Sequence, residues 1–267
     1  MRAERLLFAL SLLATSCVGS TGADLVEFPA WAAGPVEASG GAMSFRSGRG
    51  FSVTLTRAHV HVGAVYLNEL KPISGAGSTA CVQPGVYVAE VTRGLDVDAL
   101  SPSLQPFPVI GTGTTTRASS GEVWLFGQTY DAEDDATPLI DVAGTVVVGG
   151  AERPFRATFT IGKNRVVPPR DPAQPGTNPL CKLRVVAPVP IDLTPRARGG
   201  LLLRIDPRAF FANVDFAAVT PATDGALVFR DSVDDAASAA LFSGVRSTID
   251  TWGFSWLSPE ETEERKP

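Results

Sequence analysis

Residues 51–70 carry the clearest hydrophobic pattern in the chain. Phe51, Val53 and Leu55 alternate with Ser52, Thr54 and Thr56, the period of a strand with one buried face. From Ala58 onward the apolar set becomes Ala58, Val60, Val62, Ala64 and Tyr66, so the parity shifts by one near Thr56-Arg57. A β-bulge produces such a shift, because one extra residue moves every later side chain to the other face. With a bulge, Arg57, His59 and His61 point away from the core. Without one, both histidines share the face of Phe51, Val53 and Leu55.

Shorter strand patterns fill most of the remaining chain. Leu25 to Phe28, Val86 to Val91 and Glu122 to Phe126 read as strands, and Ala33 to Gly41 and Ser101 to Gly113 as connections punctuated by turn residues. Thr145 to Val148 and Phe155 to Ile161 flank Gly149-Gly150-Ala151-Glu152-Arg153-Pro154 and predict a hairpin. Leu183 to Leu193 and Leu201 to Ile205 predict a second hairpin around Pro195 to Gly200. Helical periodicity is confined to Val233–Ile249, where Val233, Ala237, Leu241, Val245 and Ile249 recur every fourth residue. Ser232 is the predicted N-cap, with Asp234 and Asp235 at the positive end of the helix dipole. Trp252, Phe254 and Trp256 then alternate on one face of a closing strand. The expected fold is all-β: an antiparallel sandwich, or a barrel-like variant, with one amphipathic helix near the C-terminus.

Composition agrees with that class. Gly 26 and Pro 21 are rich for a helical protein, and 44% apolar residues allow a substantial core. The formal net charge of −5 excludes a nucleic-acid binder, which needs a basic face to neutralise phosphates. Removal of a leader carrying Arg2, Glu4 and Arg5 makes the rest more acidic still, so electrostatic docking on anionic lipid is also unfavoured.

The N-terminus has a leader's construction: a basic start, an apolar run from Leu6 to Leu13, then Ala14-Thr15-Ser16 before Cys17. The run is too short to span a bilayer, which takes about 20 apolar residues. Small residues ending directly at a cysteine resemble the lipobox of bacterial lipoproteins, with Ala14 where that class usually has Leu, Val or Ile. The resemblance implies cleavage before Cys17, lipidation of its thiol with acyl chains such as palmitate, and residence in the cell envelope, at the periplasmic or outer face of the outer membrane. Residues 1–16 are then a signal peptide, 17–24 a flexible tether, 25–257 the β-domain and 258–267 a charged, mobile tail. An ordinary signal peptide that leaves a spare thiol is the alternative. If Cys17 is lipidated, Cys81 and Cys181 remain as an even pair. A disulfide between them closes a loop of about 100 residues and contributes roughly 4–5 kcal/mol in the chain-entropy model. Export favours that pairing over two free thiols or metal ligands.

Chemistry-bearing candidates are sparse. His59 and His61, the only histidines, stand two apart on a strand and so share a face, a spacing suited to copper or zinc. A third ligand has to come from Glu69, Glu90 or the acidic loop. The alternative is two polar strand residues facing solvent. Asp131, Glu133, Asp134 and Asp135 offer oxygens to calcium, though without the EF-hand pattern. Trp252 and Trp256 form either a carbohydrate platform or a core stripe, and Trp124 is equally ambiguous. No nucleophile elbow and no His-Glu-x-x-His occurs, so the chain is not expected to be an enzyme. The strand pattern from Phe51 to Leu67 resembles uncharacterised envelope proteins of Gram-negative bacteria. Together with the two histidines it is faintly similar to periplasmic β-domains associated with copper handling. The expected role is non-enzymatic: a lipid-anchored envelope protein binding a metal, or alternatively a carbohydrate-binding or adhesion module, with a protein or glycan partner in the envelope.

Overall fold

The computed structural model describes residues 23–38, 41–70, 85–129, 135–161, 184–232 and 234–264. The leader, all three cysteines, and Asp131, Glu133 and Asp134 lie outside them. In chain order the strands begin with β1 (Leu25–Phe28), β2 (Ala30–Ala33), β3 (Met43–Arg46), β4 (Ser52–Val62) and β5 (Ala64–Asn68). Next come β6 (Tyr87–Val91), β7 (Leu95–Asp98), β8 (Gln105–Pro106), β9 (Gly111–Thr114) and β10 (Ala118–Trp124). The remainder are β11 (Pro138–Val148), β12 (Ala151–Thr160), β13 (Val185–Leu193), β14 (Gly200–Ile205), β15 (Leu227–Phe229) and β16 (Trp252–Leu257). Two helices, α1 (Ala236–Val245) and α2 (Pro259–Glu264), lie near the C-terminus.

Among the described residues these strands make three sheets. The first runs β1-β9-β6-β5-β10-β13, antiparallel throughout. Its end strands do not pair with each other, so the fold is an open sandwich and not a closed barrel. The second runs β15-β12-β11-β4-β3, with β7 beside the later half of β4. The third runs β16-β14-β2-β8. Two pairings are parallel, β12 with β15 and β14 with β2. Inward residues of the first and second sheets, among them Phe28, Val65, Leu67 and Val123 against Leu55, Val60, Val142 and Phe159, belong to one continuous apolar core.

The bulge lies where the parity shift predicts it. Ala143 pairs with Arg57 and Gly144 with Leu55, so Thr56 has no partner opposite and both Thr56 and Arg57 face solvent. His59 is consequently turned outward and exposed, and His61 lies on the same face. The later part of the pattern divides differently from the expectation. Residues 51–70 are two strands in two sheets, separated by Gly63. A Cβ at Gly63 would lie 2.4 Å from the Phe126 carbonyl oxygen and 2.9 Å from its ring. Only glycine lets the chain pass there, and the passage resets the parity: Val65 and Leu67 face the core, while Tyr66 and Asn68 face out. The chain makes a similar transfer at Pro29, between β1 in the first sheet and β2 in the third.

The Gly149-Gly150 hairpin forms, with both turn residues at positive φ (60° and 84°) and longer strands than the pattern marks. The second predicted hairpin does not. β13 pairs with β10 in the first sheet, and β14 pairs with β16 and β2 in the third. The Ser101–Gly113 connection contains β8 and the start of β9. Helix α1 is shorter than the periodicity suggests: Asp235, not Ser232, caps it by accepting from the Ala237 amide at 3.1 Å. Ala237, Leu241 and Val245 are buried as expected, whereas Ile249 is 71% exposed beyond the helix end. The tail expected to be mobile contains α2. Ser258 and Glu261 close a reciprocal capping box there, with Pro259 at the first helical position.

Candidate functional site on the outer face of the first sheet

Cross-strand register places one polar row across five strands of the first sheet. Glu27 pairs with Thr112, Thr112 with Glu90, Glu90 with Tyr66, and Tyr66 with Glu122. Alternation puts all five side chains on the face away from the core. The row passes from exposed Glu27 and Glu90 to Glu122, which is completely buried.

Glu122 is enclosed by rings and held by donors. Asn68 Nδ2 donates to Oε1 at 2.9 Å, Trp124 Nε1 donates to Oε2 at 3.0 Å, and the Tyr87 hydroxyl donates to Oε2 at 3.5 Å. Tyr66 stands edge-to-face against Tyr87 and Trp124, with centroids at 5.2 and 5.6 Å. Burial pushes the Glu122 carboxyl above its ordinary value, and the bonds from Trp124, Asn68 and Tyr87 pull it partly back. Tyr66 is raised by burial and then by the charges of Glu90 and Glu122. Tyr87 is raised further, by burial, by Glu122 and by Tyr66, so both phenols keep their protons. Asn68 Oδ1 is buried without a hydrogen-bond partner. Closed off from solvent, Glu122 cannot reach a substrate. Its acceptors instead fix the Trp124 indole and the Tyr87 ring.

Beside this buried group lies a groove of about 780 Å³, lined by Leu25, Glu27, Tyr87, Glu90, Thr112 and Thr114 among others. Tyr87 is part of both: its hydroxyl reaches Glu122 while the residue remains 41% exposed at the groove. Among the described residues no lysine or arginine lines the groove.

The sequence-derived candidates are distributed elsewhere. His59 stands between Asp98 of β7 and Asp141 of β11 in register, and His61 Nδ1 lies 2.6 Å from Asp96 Oδ1. Asp141 is engaged by Arg57 at 2.9 Å. Among the described residues no three His, Cys, Asp or Glu side chains converge as a metal site. Glu90 cannot supply a third ligand to the histidines, because it faces out from the first sheet and they face out from the second. Asp135, taken with its neighbours as a calcium ligand, is buried. Its carboxylate accepts from the amides of Gly127, Gln128 and Thr137 at 2.9, 3.2 and 3.0 Å and lies 3.8 Å from buried Arg184. Burial alone would raise it, but these bonds outweigh burial and hold Asp135 below its ordinary value. Trp252 is buried, with Nε1 donating to the Val245 carbonyl at 2.9 Å, and Trp256 packs edge-on against Phe28. The stripe they share faces the core, so these two rings do not form an open carbohydrate platform. Cys17, Cys81 and Cys181 lie outside the described residues.

No protein-family model, curated protein or solved structure matches this chain.

Glu122, Asn68 and Tyr87 are the residues that pattern reading missed. Their signal was the polar alternation of Tyr66 and Asn68 between Val65 and Leu67, and of Glu122 and Trp124 around Val123. It becomes legible only once the break at Gly63 assigns β5 to a new sheet.

Proposed function

We propose that the chain is a lipid-anchored protein of the bacterial cell envelope whose role is to bind a ligand, without turnover, in the groove on the outer face of the first sheet. The observation that carries the binding reading is the groove itself: a concave site with carboxylates, hydroxyls and an aromatic edge, backed by a buried carboxylate that immobilises the aromatic side chains. Supporting the envelope reading are the leader pattern and the lipobox-like residues before Cys17. A metal role for His59 and His61 has less support, since the surrounding carboxylates belong to an arginine pair or stand singly. The half-exposed Tyr87 at the groove favours a second reading, a carbohydrate-binding module that stacks on tyrosine in place of Trp252 and Trp256.

The test is a thermal-shift survey of amines, sugars and peptides on the full-length chain and on a Thr112→Trp variant that fills the groove. Compounds that stabilise the parent and not the variant support groove binding. Stabilisation that Thr112→Trp leaves intact, or chemical conversion of a bound compound, would refute it. Acyl labelling lost in Cys17→Ser, with release of the protein from membranes, tests the anchor separately.

A further inference from the structure

Resting on the groove reading above, we infer that the ligand is an aliphatic diammonium compound, laid across β1, β9 and β6 with one ammonium group at Glu27 and the other at Glu90. Both carboxylates are exposed and face the same groove, and neither has an ion-pair or hydrogen-bond partner among the described residues. Asp192, Asp141 and Asp224, by contrast, are each paired with an arginine: Arg117 at 2.7 Å, Arg57 at 2.9 Å and Arg156 at 3.0 Å. A cleft with two negative charges and no cation among its described lining residues has a negative potential that concentrates cations and repels anions.

Separation decides which cation fits. Glu27 and Glu90 are two strands apart with Thr112 between them, so their backbones stand roughly 9.5 Å apart. A metal ion needs oxygens converging within about 2.6 Å of one point, and no such convergence exists among the described residues. A linear chain with an ammonium at each end meets both carboxylates at about 2.8 Å when about four to six methylenes separate the nitrogens. Leu25, Val88 and Tyr87 supply apolar wall for those methylenes, and the Thr112 hydroxyl lies midway along the path.

Calorimetric titration of the full-length chain with putrescine and cadaverine tests this, with butylamine, glucose, calcium chloride and a lysine-rich peptide as comparators. The diamines are expected to bind and butylamine to bind much more weakly. Glu27→Gln and Glu90→Gln, both surface changes, each weaken diamine affinity about two- to fivefold, and the double variant about tenfold. Rising salt weakens the wild-type complex and affects the double variant little. Equal affinity for diamine and butylamine, equal affinity of wild type and double variant, displacement by calcium, or binding of the peptide alone would each overturn the proposal. Glucose binding that Thr112→Trp abolishes, without diamine binding, overturns the diammonium assignment and leaves the groove reading standing. If no compound binds in a Thr112→Trp-sensitive way, both fall.

Discussion

Replacing Glu122 by glutamine tests whether the buried carboxylate shapes the site as argued. Two short hydrogen bonds, from Asn68 and Trp124, end on it inside the protein. Glu122→Ala strands both donors, and each stranded buried donor costs about 1–3 kcal/mol, so about 2–6 kcal/mol is at stake before the relief of removing a buried charge. Glu122→Gln keeps the shape and one acceptor. Its new amide donor finds the Asn68 Oδ1 that now lacks a partner if the Asn68 amide turns over. The pH dependence separates hydrogen bonding from charge. Glu122 titrates higher in the folded chain than its ordinary 4.5, so the folded state holds the proton more tightly than the unfolded state does. The stability this contributes is complete below 4.5, falls away as pH rises toward the folded value, and is absent above it. Urea unfolding from about pH 4 to about pH 8, followed by tryptophan fluorescence, should show the wild type losing stability relative to Glu122→Gln as pH rises. Parallel curves, or a wild type that gains on the variant with rising pH, would refute a carboxylate destabilised by burial.

Three further outcomes are expected. Deleting Thr56 restores a regular ladder with Leu55 still inward and Arg57 outward, at a cost of about 1 kcal/mol. Deleting Thr54 turns Val53 or Leu55 to solvent at about 2–3 kcal/mol, and chemical denaturation of the two variants distinguishes them. Gly63→Val drives a Cβ into the Phe126 carbonyl and should destabilise by about 2–3 kcal/mol or block soluble expression; an unchanged melting temperature would contradict the close approach. Asp135→Ala leaves Arg184 buried beside three amides without their acceptor, and should cost about 3–5 kcal/mol in urea unfolding. Because the folded Asp135 titrates below 3.8, its contribution is present above 3.8 and is lost as pH falls through the folded value.

The strands were legible where one face is apolar and the other polar. The Thr56-Arg57 bulge shows this best, since a single parity shift in the sequence located both the extra residue and the outward histidines. Sheet membership was not legible. The stretch through Gly63 keeps its apolar alternation while changing sheets, and periodicity records burial without recording which layer does the burying. The same blindness produced the false hairpin of β13 and β14, two adjacent apolar strands whose partners come from distant parts of the chain. Helix ends depended on particular side chains. Asp235 outcompeted Ser232 as a cap, and the Ser258-Pro259-Glu260-Glu261 capping box carried a helix signal that the charged character of the tail obscured. The polar row at the site was hidden for a related reason: Glu27, Glu90 and Glu122 lie far apart in sequence and share a face only through register. Trp252 and Trp256 were ambiguous because one alternation describes both a platform and a core stripe.

The transfers at Pro29 and Gly63 bear on how the protein comes apart. Each runs one uninterrupted length of backbone through two layers, so neither layer can open without pulling on the other. Amide protons of β1, β2, β4 and β5 should therefore exchange with solvent together, with a common opening free energy, instead of in layer-by-layer steps. A protease cutting near either transfer would sever the mechanical link between layers and would release no separately folded half.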